Sequence, residues 1–183
     1  MGRASRFTGQ KSTWERTGPN TRLMVGATII SFVGLLGLTP NRFLSIELIW
    51  PYAALWGAAG WATVGLALRP MFILAIFGVA QDVVLQAPIG TYLLVNLATY
   101  GIVAAFSDSL DIINEPANAL AVSALAMAGG MVIVWIVASS RADQAMRITP
   151  LLGIYLTTLL LFVPFSGLFR LGGRPGEKLG GVL

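Results

Sequence analysis

A chain of 183 residues that is 56% hydrophobic and only 11% charged, with a mean hydropathy of +0.77, lies far from the mix of about 45–50% apolar and about 25% charged residues typical of soluble domains. Water is therefore excluded as the solvent for most of its surface. Cysteine and histidine are absent and lysine occurs only at Lys11 and Lys178, which removes disulfides, thiolate nucleophiles, the usual zinc sets and any Ser-His or Ser-Lys pair inside a membrane.

Six apolar runs follow in chain order, each near the length of about 20 residues that spans a bilayer. The first, Leu23 to Leu38, follows a basic tail without a clear cleavage pattern and reads as a retained span. The second runs from Leu44 to Leu68, with Glu47 and Pro51 near its start and Arg69-Pro70 closing it. The third runs from Met71 to about Leu85 and stops at the Pro88-Ile89-Gly90 turn. The fourth, Thr91 to Phe106, meets a polar loop holding Asp108, Asp111 and Glu115; the fifth, Ala119 to Ala138, is rich in Ala and Gly. The sixth runs from about Ile148 to Leu171, with Pro164 expected to bend it.

The expected fold is thus an all-α integral membrane protein of about six transmembrane helices with short loops. Residues 1–22 and 172–183 read as basic cytoplasmic tails flanking a six-helix domain at 23–171. Orientation follows from Lys and Arg on alternate sides. The N-terminal tail, Arg69, Arg170 and the C-terminal tail hold nine, against Arg42, Arg141 and Arg147 on the other side. Both termini are expected in the cytoplasm and the Pro88 turn outside. The basic residues sit mainly in the tails, where this rule accounts for them, so nucleic acid is not expected as a partner. Ala54, Ala58 and Ala62, and on the fifth helix Ala124 with Ala128 and Ala126 with Gly130, mark small-residue faces for helix contact.

Polar residues inside a span are costly and tend to serve a role. Here Gly78, Asp82 and Gln86 recur every four residues on the third helix, and Tyr92, Asn96 and Tyr100 every four on the fourth. Each triplet lies on one helix face, and the short Pro88 turn makes the two helices antiparallel neighbours. Counting seven residues either side of Ile89 puts Asp82 and Asn96 at one depth, where an amide could hydrogen-bond the carboxyl. Asp82 is then either a carboxyl satisfied by a neighbouring helix or part of a partner or ligand surface.

The stretch Gly78 to Tyr100, GVAQDVVLQAPIGTYLLVNLATY, resembles the bacterial rod-shape-determining protein MreD family on Gly78, Asp82, Ile89-Gly90 and Tyr100, with Arg69-Pro70 ahead of the motif helix. The resemblance covers about half of the chain. It implies a non-enzymatic, multi-pass subunit of the bacterial inner membrane without a cofactor, acting in cell elongation. The partners it implies are membrane lipid, a bitopic periplasmic shape protein (MreC-like), an actin-like cytoskeletal protein, and the glycosyltransferase and transpeptidase that extend peptidoglycan. The expected partner-binding or structural stripe is Gly78, Asp82, Gln86, Pro88, Gly90, Tyr92, Asn96 and Tyr100. The alternative is a small-solute, vitamin-like binding subunit of a membrane transporter, with Asp82, Gln86, Asn96 and Tyr100 lining a pocket.

Overall fold

The computed structural model describes residues 17–38, 42–43, 46–47, 49–107, 115–141 and 147–171, with backbone alone at 42–43, 46–47 and 116. The expected C-terminal tail, most of the N-terminal one, and Asp108 and Asp111 of the acidic loop lie outside the described residues. Helices dominate: α1 (Pro19–Gly37), α2 (Ala54–Trp61), α3 (Leu68–Val84), α4 (Thr91–Ser107), α5 (Pro116–Arg141) and α6 (Thr149–Phe169). Two-residue strands β1 (Arg42–Phe43) and β2 (Ile46–Glu47) pair antiparallel between α1 and α2.

Helix boundaries follow local chemistry. Pro19 and Pro150 occupy first-turn positions of α1 and α6, where a missing N–H costs nothing and the fixed φ suits a helix. Helix α1 therefore begins inside the expected tail, with Asn20, Thr21 and Arg22 already helical. Three helices, α1, α5 from Ala117 and α6, are long and apolar enough to cross a membrane. At about 1.5 Å per residue the 17-residue α3 and α4 each reach about 25 Å.

The second apolar run departs from expectation. Its helix α2 has eight residues, about 12 Å, and is far short of the about 30 Å hydrocarbon core. One 3₁₀ turn, Ala62–Val64, follows, and Gly65 at φ +91° then turns the chain into extended backbone before α3. Hydropathy registers the run as one apolar block, but Pro51 precedes the helix and Gly65 breaks it. All eight residues of α2 are buried, so the segment is a packed plug within the bundle. Trp56 stacks on Phe165 at 5.8 Å, and Trp61 lies against Phe169 at 6.3 Å, both from α6. Gly60 permits this approach, because a Cβ there would overlap Phe169.

Hydrogen bonds orient the segment. The Trp50 indole donates to Val33 O near the end of α1 at 2.8 Å, whereas Trp61 lies beside Gly26 near its start. The chain thus returns from one end of the bundle to the other through this plug, only partly as helix. At that second end Arg22 donates to Arg170 O at 3.3 Å and Arg69 donates to Asn20 Oδ1 at 3.1 Å. The starts of α1 and α3 and the end of α6 consequently share one end, and the Pro88 turn lies at the other. Helix α5 closes on α4 where Gly130 faces Thr99 and Val95, and Ala126 is fully buried.

Candidate functional site

Antiparallel α3 and α4 approach closely at Gly78, where an added Cβ would overlap the Leu93 backbone. Just above it the chain must end one helix and start another within a few residues. Helix α3 ends in a Schellman arrangement: Ala87 N donates to Asp82 O at 2.9 Å and Gln86 N to Val83 O at 3.3 Å. Gln86 takes the left-handed position at φ +52°. Its side chain is exposed in the turn, so it does not extend the α3 stripe as its spacing suggested. Pro88 follows where a helix cannot continue, and its carbonyl accepts from Thr91 N at 3.0 Å and Thr91 Oγ1 at 2.8 Å.

Helix α4 begins after Gly90, which sits at φ +102° and has no side chain to cap the helix. Asp82 supplies that cap from α3. Its Oδ2 accepts from Gly90 N at 2.7 Å and its Oδ1 from Tyr92 N at 2.8 Å. The residue is fully buried, and a carboxylate at a helix N-terminus gains from both the unpaired amides and the dipole.

The expected Asp82–Asn96 pair does not form. Asp82 lies two residues from the end of α3 and reaches up to the turn, whereas Asn96 lies five residues inside α4, so the symmetric count about Ile89 fails. Asn96 instead donates through Nδ2 to Leu74 O at 3.1 Å and accepts from the Tyr52 hydroxyl at 2.7 Å. Tyr52 N in turn donates to Thr158 Oγ1 at 2.9 Å, and the Trp56 indole donates to Thr158 O at 2.8 Å. Asn96 is thereby connected to α3, the entry to α2 and α6.

The rest of the α4 stripe faces the same segment. Tyr92 meets Tyr52 edge to face at 5.2 Å. The Tyr100 hydroxyl accepts from Ala67 N and donates to Gly65 O, both at 2.9 Å. These are backbone groups of the extended stretch between α2 and α3, which has no helical partners for them. Irregular backbone at membrane depth is tolerated where protein satisfies it; on the α4 stripe Tyr100 does this, while Asn96 binds the Tyr52 hydroxyl and the Leu74 carbonyl and Tyr92 makes a ring contact.

Tyr52 and Thr158 were not among the sequence candidates. The signals available were a tyrosine directly after Trp50-Pro51 and a Thr157-Thr158 pair in the middle of a mostly apolar helix. Among the remaining polar candidates, Glu115 is exposed and accepts from Asn118 Nδ2 at 2.7 Å. No group of three or more Asp, Glu, His or Cys that could hold a metal occurs among the described residues.

A cavity of about 430 Å³ lies at the turn end between α1, α3, the residues leading into α2, and Met131 and Val134 of α5 with Leu151 and Ile154 of α6. Its lining is mostly apolar, with Gln81 and Tyr92 the polar side chains on the α3–α4 wall. The fold and site together define a helical, membrane-type protein whose buried polar stripe is used within the chain. Comparison with protein-family models, curated proteins and solved structures finds no match.

Proposed function

We propose that the protein is a non-enzymatic scaffold subunit of the bacterial cell-elongation machinery, crossing the inner membrane six times with both termini in the cytoplasm. The second crossing is the partly helical plug around α2. The end holding Arg22, Arg69 and Arg170 is the cytoplasmic one, in keeping with the preference for positive charge on that side.

One observation carries the reading. The buried polar groups that could have formed a solute site are occupied by the protein itself: Asp82 by two amides, Asn96 by Tyr52 and Leu74, and Tyr100 by the backbone at Gly65 and Ala67. What the molecule offers its surroundings is an apolar lateral surface, suited to contacts with other membrane segments. The resemblance of Gly78 to Tyr100 to the MreD family supplies the process and the partners: an MreC-like bitopic protein, the actin-like cytoskeleton, and the peptidoglycan glycosyltransferase and transpeptidase. Deletion in a rod-shaped host tests this, with rounding of cells and no loss of any single nutrient's uptake as the expected result. Crosslinked pull-down from native membranes should recover cell-wall synthases. A deletion strain that stays rod-shaped but becomes auxotrophic for a vitamin, with ATPase subunits in the pull-down, would favour the transport-subunit reading, for which the cavity beside Gln81 and Tyr92 would be the pocket.

A further inference from the structure

We draw no further inference here: the strongest candidate, the apolar cavity at the Pro88-turn end between α1, α3, α5 and α6, borders residues outside the described ones, and nothing in the structure shows what occupies it.

Discussion

Replacing Asp82 separates a capping role from a simple interhelical pair. The carboxylate is fully buried and accepts two amide N–H groups at 2.7 and 2.8 Å. Hydrogen bonds to a charged group contribute about 1.5–3 kcal/mol each, and a buried donor left unpaired costs about 1–3 kcal/mol. Asp82→Ala orphans both Gly90 N and Tyr92 N and should destabilise by about 3–5 kcal/mol once the coupling of the two bonds is allowed for. Asp82→Asn keeps one acceptor but turns an N–H donor toward the other amide and loses the charge at the helix terminus. Its cost should be about 2 kcal/mol. A side-chain pair between membrane helices would be worth only about 0.6 kcal/mol, so the Asn variant decides between the two accounts. The assay is reversible unfolding in mixed micelles followed by far-ultraviolet circular dichroism, with amide exchange at Gly90 and Tyr92 as the local readout. An Asn variant within about 0.6 kcal/mol of wild type, with exchange at those amides unchanged, would refute the capping argument.

Gln86→Gly should raise stability by about 0.5–1 kcal/mol, because glycine adopts φ +52° without the Cβ clash that glutamine bears there; the same unfolding titration measures it, and a loss of stability would count against the Schellman turn. Tyr100→Phe should cost about 1–3 kcal/mol by unpairing Ala67 N and Gly65 O, and should speed amide exchange at Ala67 before any global change. Gly78→Ala forces α3 away from the Leu93 backbone and should cost about 1–3 kcal/mol, with crosslinking between cysteines introduced on α3 and α4 reporting the separation. A reporter fused at Leu183 should be active only in the cytoplasm and one in the Pro88 turn only in the periplasm; the reverse pattern would invert the assigned orientation.

Five of the six apolar runs were legible in the sequence to within a few residues, since a long apolar run bounded by Pro, Gly or charge is a strong signal. Leu23 to Leu38 became Pro19–Gly37, and Thr91 to Phe106 became Thr91–Ser107. The run from Leu44 to Leu68 was not, because hydropathy weighs composition and is indifferent to backbone geometry. Its Pro51, Gly57, Gly60 and Gly65 were visible but were outweighed by the surrounding Ala, Leu and Trp. The polar stripes were located correctly as sequence, and the close approach at Gly78 followed from the absence of a side chain. Their partners were not legible: Asp82 finds amides eight and ten residues on, and Asn96 finds Tyr52 from a segment expected to be one uniform helix. Gln86 kept the four-residue spacing while leaving the helix, which spacing alone cannot reveal.

These two failures have one physical origin. A helix satisfies its own backbone, so a bundle of complete spanning helices needs few buried polar side chains. A break exposes amides and carbonyls that the hydrocarbon cannot satisfy, and a neighbouring helix must then supply hydroxyls or amides at matching heights. On α4, Tyr100 performs that task at Gly65 and Ala67, and Thr158 of α6 performs it at Tyr52 N, whereas Asn96 joins the Tyr52 hydroxyl to the Leu74 carbonyl of α3. Asp82 performs the corresponding task for the start of α4. In this chain the hydrogen bonds made within the protein are sufficient to account for Asn96 and Tyr100 without any ligand.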